Sequence, residues 1–155
     1  MKHIFFALIA LSTATVAHAD GFVCQTEGQD LNVKVYNHAS PSAGTRNVAV
    51  MVLSDPSINA GNKTIARFQD INSKVTNVGA SYEADVDFRY NDTGLQGRNI
   101  GGTKLGFVKT IVLDVDFSYT APVADLDVIP GTLTIIKRDG GAITHSVSCT
   151  RYLKN

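Results

Sequence analysis

From Phe22 onward, apolar and polar side chains alternate with a period of two, in runs separated by short clusters of Gly, Asn, Asp, Ser and Pro. Successive side chains of a strand point to opposite faces, so this pattern predicts half-buried β-strands joined by turns. Leu31, Val33 and Val35 alternate with Asn32, Lys34 and Tyr36, ahead of the loop "NHASPSAGTR". "NVAVMVLSDP" is apolar at both parities, which predicts a central strand covered on both faces and stopped near Pro56. "KTIARFQD" sets Ala66 and Phe68 on one face, and "SKVTNVGA" carries a weaker strand signal.

Two longer runs share one pattern. "YEADVDFRY" places Tyr82, Ala84, Val86, Phe88 and Tyr90 on one side and Glu83, Asp85, Asp87 and Arg89 on the other. "LGFVKTIVLDVDFSY" aligns Leu105, Phe107, Ile111, Leu113, Val115, Phe117 and Tyr119, interrupted at Lys109, where a bulge or bend fits. Pro130-Gly131 suits the centre of a type II turn, and Asp139-Gly140-Gly141 between "TLTIIKR" and "AITHSVSCTRY" predicts a hairpin. The strand spacing favours an antiparallel β-sandwich of about eight or nine strands over a closed barrel.

The first residues follow a different logic. Lys2, an apolar run from Ile4 to Leu11 and the Ala17-His18-Ala19 box form a secretory signal peptide over residues 1–19, leaving 20–155 as a single β-sandwich domain. The apolar run is too short to span a bilayer, which takes about 20 residues, and no membrane-spanning segment is expected after cleavage. The expected location is the periplasm or the extracellular medium. In such an oxidising compartment the two cysteines, Cys24 and Cys149, are expected to pair. That disulfide closes a loop of 149 − 24 = 125 residues and makes the first and last strands neighbours.

Charge narrows the partners. The chain has 14 Lys and Arg against 14 Asp and Glu, and loss of Lys2 with the leader leaves one net negative charge. Nucleic-acid binding depends on a basic face that neutralises several phosphates, so none is expected.

The repeated "DVD" raises a metal hypothesis. Asp85, Asp87, Asp114 and Asp116, with Asp125 and Asp127 nearby, could hold Ca²⁺ if they converged, because clustered carboxylates repel unless a hard cation compensates them. Register argues against convergence. If the two "DVDF" strands pair with residue numbers summing to 195, Asp85 faces Thr110 and Asp114 lies four residues further on, roughly 13 Å away. No calcium-loop motif of the D-x-[DN]-x-[DN]-G kind occurs. The plainer account is that these carboxylates face water and keep the sheet soluble.

Other chemistry is sparse. "NDTGLQGRNIGGTK" carries Arg98 and Lys104 among four glycines, a long polar loop that could bind an anion. His38 is expected in a loop, and His145 on a sheet face with Ile143 and Val147, as a partly buried, hydrogen-bonded residue more than a general base. No serine-elbow motif occurs, so no catalytic residue is assigned. The chain has no Trp, and its aromatics fall at inward parities apart from Tyr36 and Tyr152.

The segments "GTRNVAVMVLSDP", "GNKTIARF", "TKLGFVKTIVLDVDFSY" and "CTRYLKN", with Cys24 ahead of them, resemble a set of small exported proteins of Bdellovibrio-type predatory bacteria over most of residues 24–155. The resemblance implies a Gram-negative periplasmic or secreted setting and carries no site residue. The leading expectation is a non-catalytic exported module that binds a protein, a glycan or an envelope surface. A calcium-stabilised domain and an envelope hydrolase or hydrolase inhibitor are the alternatives.

Overall fold

The structure is a computed structural model that describes residues 19–28, 30–39, 47–56, 63–76, 78–87, 93–116 and 128–154. Residues 1–18, within the expected signal peptide, and residues 40–46, where a loop is expected, lie outside the described residues. The strands are β1 (Ala19–Thr26), β2 (Asn32–Ala39), β3 (Asn47–Asp55), β4 (Lys63–Val75), β5 (Gly79–Asp85), β6 (Asn99–Ile100), β7 (Thr103–Lys104), β8 (Val108–Asp116), β9 (Val128–Lys137) and β10 (Ala142–Lys154), with one helical turn, α1 (Thr93–Gln96), before β6.

The expected sandwich is not what forms. Eight strands close into a barrel in the cyclic order β1-β2-β3-β4-β5-β8-β9-β10, each antiparallel to both neighbours, while β6 and β7 make a separate two-stranded hairpin. Sandwich and barrel share one inward–outward alternation, so periodicity cannot separate them. Closure is decided where the chain ends meet, and there β1 pairs with β10 from Ala19↔Lys154 to Thr26↔Val147. Cys24 and Cys149 are direct partners in that seam, with Cα atoms 3.9 Å apart and the disulfide formed across it. Both are fully buried, so the staple is an interior rung.

Inward positions follow the alternation. Phe22, Val33, Val35, Met51, Leu53, Tyr82, Ala84, Ile111, Leu113, Ile129, Leu133 and Ile135 are all buried, and burial of a large apolar side chain stabilises by about 1.5–3 kcal/mol. Phe22 and Tyr82 meet edge-on across the interior with ring centroids 6.2 Å apart. The β3 run is covered on both sides as expected, with Val48 and Val50 buried on the parity opposite Ala49, Met51 and Leu53. This apolar-in, polar-out arrangement is the inverse of a membrane barrel, whose wall turns apolar side chains to lipid. No helix among the described residues is long and apolar enough to cross a membrane.

Three irregularities shape the wall. The β3–β4 register shifts around Asp70, a non-glycine residue at φ 54°, and again around Ile65. The β8–β9 register shifts at Lys109, the position where the alternation falters in the sequence. Beyond that bulge Val108 turns inward, and Phe107, expected inside, ends a 3₁₀ turn over Leu105–Phe107 and is 63% exposed. Pro130-Gly131 is a second departure: both lie within β9, opposite Ser148 and Val147, instead of forming a turn. A Cβ on Gly131 would stand 2.7 Å from the Asp114 carbonyl oxygen and 3.2 Å from Cys149 Sγ. Glycine is therefore required by the packing of the staple. Asp139-Gly140-Gly141 does make the expected hairpin, with Gly140 at φ 89° and Lys137 N–H donating to Gly141 O at 2.7 Å.

Candidate functional site

β5 and β8 pair directly, in the register that sets Asp85 opposite Thr110 and Tyr82 opposite Leu113. Thr110 Oγ1 donates to Asp85 Oδ1 at 3.1 Å. Asp114 instead faces Ser81 on β5 and Thr132 on β9, and Asp116 faces Gly79. No aspartate of one strand stands across from an aspartate of the other, and the described residues contain no group of three or more His, Cys, Asp or Glu able to hold a metal. The four-carboxylate calcium set of Asp85, Asp87, Asp114 and Asp116 is therefore not assembled, because the register that matches the two apolar faces staggers the two acidic ones. Asp125 and Asp127 lie outside the described residues.

Asp114 and Asp116 do share a feature of another kind. They border a crevice of ≈ 540 Å³ on the outside of the barrel, where the end of β8 runs between the starts of β5 and β9. Lys74, Thr76, Ser81 and Thr132 supply its other polar groups, and Val78 and Pro130 its apolar ones. Gly79 and Gly131 flank β8 there, and neither can accept a side chain freely, since a Cβ on Gly79 would approach the Val115 carbonyl oxygen to 3.0 Å. The crevice joins a carboxylate pair, one ammonium and three hydroxyls to a small apolar rim. Sequence reasoning singled out the two aspartates but missed Lys74, Ser81 and Thr132, which reach them only through cross-strand register.

The glycine-rich segment behaves differently from the mobile polar loop expected. Ile100 and Leu105 are each 1% exposed and belong to the barrel core, so α1, β6 and β7 form a plug over one end. Arg98 locks that plug: its Nη1 donates to Thr64 O at 2.9 Å and Ile65 O at 2.7 Å, carbonyls beside the β4 bulge. Of the two residues expected to bind an anion, Arg98 thus has its Nη1 engaged by the fold, while Lys104 is exposed. His145 bridges the plug from the other side, its Nε2 2.8 Å from Gly101 O. A carbonyl can only accept, so Nε2 carries the proton, and the ring is the partly buried, hydrogen-bonded residue expected. His38 lies in β2 opposite Val48, not in a loop.

A second recess of ≈ 410 Å³ lies beside exposed Phe107, between Lys137, Arg138 and Asp139. Its charges are engaged: Arg138 Nη2 donates to Val86 O at 2.8 Å, and Lys137 pairs with Asp139 at 3.4 Å. The Gly141 N–H and then Lys137 hold the Asp139 carboxyl below its usual value of 3.8. The Lys34 ammonium stands 5.5 Å from the centre of the outward Tyr36 ring. The side chain of Tyr152 lies outside the described residues.

Comparison with known protein families, with curated proteins and with solved structures finds no match.

Proposed function

We propose that this chain is an exported, non-catalytic binding module that takes its ligand on the outside of a solid barrel. The observation that carries the reading is the filled interior: Phe22, Met51, Tyr82, Ile100, Leu105, Leu113 and Leu133 leave essentially no side-chain surface to solvent. Eight-stranded barrels either hold a small ligand inside or fill their interior with side chains, and this one follows the second pattern. Its binding chemistry then belongs to the wall. The Asp114/Asp116 crevice suits a hydroxyl-bearing ligand such as a saccharide, because carboxylates accept from ligand hydroxyls, Lys74 donates to them, and Ser81 and Thr132 do either.

A hydrolase is less well supported. A carboxylic acid catalyst is kept protonated by burial or by a like charge, and Asp114 and Asp116 both face solvent. Export is supported by the signal-like leader and by a disulfide of the kind that persists in oxidising compartments. The test is calorimetric titration of the mature chain with short neutral oligosaccharides. Binding that falls about tenfold in Asp114→Asn or Lys74→Ala, with unchanged melting, upholds the crevice. Binding that ignores both substitutions, or no binding at all, rejects it.

A further inference from the structure

The outward positions of β9, β10 and β1 form a surface of unusual uniformity. Among the described side chains they are Val128, Pro130, Thr132, Thr134 and Ile136 on β9, Ala142, Thr144, Ser146, Ser148 and Thr150 on β10, and Val23 and Gln25 on β1; none of these is charged, and Tyr152 and Lys154, further along β10, have side chains outside the described residues. Register sets Thr134 against Thr144 and Thr132 against Ser146, while Ser148 stands between Pro130 and Gln25. Hydroxyls therefore recur about 6.7 Å apart along each strand and about 4.8 Å apart between strands. Some hydroxyls elsewhere are used internally: Thr26 donates to Asp30, Thr76 to Gly79 O and Thr110 to Asp85. Among the described residues, those of Thr132, Thr134, Thr144, Ser146 and Ser148 bond to no protein group.

We propose that this face binds an extended, uncharged polysaccharide, laid along β9 and β10 and continuing at Thr132 into the Asp114 crevice. The inference rests on the binding-module reading and names its ligand class. A neutral hydroxyl surrenders its water at far lower cost than an ammonium or carboxylate, so such a face can be covered without burying an unpaired charge. Each hydroxyl both donates and accepts, which matches sugar hydroxyls in either sense. Its described side chains offer no cation to an anionic polymer, which would gain nothing from counterion release there. Its described side chains also include none of the Trp, Tyr or Arg anchors that dominate protein–protein contacts.

The experiment measures retardation of the mature chain in gels containing dextran or laminarin and retention on amorphous cellulose, with alginate and heparin as charged comparators. Wild type is expected to bind at least one neutral polymer with little dependence on salt. Ser146→Lys and Ser148→Glu, both at exposed positions, are each expected to weaken that binding about tenfold without changing the melting temperature or the disulfide. Asp114→Asn should affect short oligosaccharides more than polymers, which separates failure of the crevice from failure of the face. The proposal is overturned if no neutral polymer binds, if binding survives both charge insertions, or if only the charged polymers bind. A concentration-dependent dimer that Ser146→Lys dissolves, without retention on any glucan, would assign the face to a second copy of the chain and overturn it as well.

Discussion

On β4, β5 and β8 the outward positions hold Arg67, Lys74, Glu83, Asp85, Asp114 and Asp116, whereas on β9, β10 and β1 the described outward side chains are Thr, Ser, Gln and a few apolar residues. Inward, the two sides are alike, with Leu113 and Leu133, or Ile111 and Ile135, meeting as cross-strand partners. The interior is chosen by packing, which leaves little freedom. The outer wall needs only to be wettable, and charge achieves that most cheaply while discouraging association. The described stretch of wall over β9, β10 and β1 does without charge while staying exposed, and it can be tested against the charged side.

The largest effect is expected at the seam on the uncharged side. Replacing both Cys24 and Cys149 with Ala removes a cross-link that closes a 125-residue loop, and the chain-entropy account assigns about 4–5 kcal/mol to a loop of that length. Thermal melting of wild type with and without reductant, beside the double variant, measures it. A loss under about 1 kcal/mol would mean that the β1–β10 ladder closes the barrel unaided.

Next in size is the plug. Ile100→Ala is expected to cost about 2–5 kcal/mol by emptying a fully buried site, and Arg98→Met about 1–3 kcal/mol by leaving the Thr64 and Ile65 carbonyls without their donor. Hydrogen exchange should localise the Arg98→Met loss to β4 and the plug and leave β9 and β10 protected. Uniform loss would contradict the view that Arg98 holds one end of the charged side.

At the border between the sides, Gly131→Ala should destabilise by about 1–3 kcal/mol through overpacking against the Asp114 carbonyl and the staple. Gly97→Ala, with nothing within 4 Å of the added carbon, should stay within about 0.5 kcal/mol of wild type. Equal effects in denaturant melts would remove the packing argument. The smallest effect is electrostatic. The lowered value of Asp139 means that its turn is stabilised above the ordinary carboxylate range, and that this contribution disappears as pH falls through the lowered folded value. An NMR titration of its carboxyl should place the midpoint below 3.8; a midpoint above it would contradict the Gly141 and Lys137 contacts.

Much of this wall was legible beforehand because period two needs only local information. The inward set of Tyr82, Ala84, Leu113 and Val115 follows from it, and so does the β5–β8 register, since matching two apolar faces permits few alignments. The Cys24–Cys149 pairing followed from count and compartment. Barrel closure did not follow, because it depends on hydrogen bonds between residues more than 100 positions apart. Phe107 was misplaced because it ends a 3₁₀ turn, to which strand parity does not apply, and Pro130-Gly131 by a glycine that lets the β8 backbone approach at the Asp114 carbonyl and does not form a turn. The crevice was half legible: Asp114 and Asp116 share a parity and the β5–β8 register sets Ser81 opposite Asp114, but Lys74 and Thr132 join them through the β4–β5 and β8–β9 pairings, which local alternation does not specify.

The contrast between the two sides is tested most directly by backbone amide shifts of the mature chain titrated with laminarin. Perturbations centred on Thr132, Thr144, Ser146 and Ser148, fading across Asp114 and absent from Glu83 and Arg67, are the expected result. Perturbations confined to β4 and β5, or none at saturating glucan, would contradict the assignment of the uncharged wall to ligand binding.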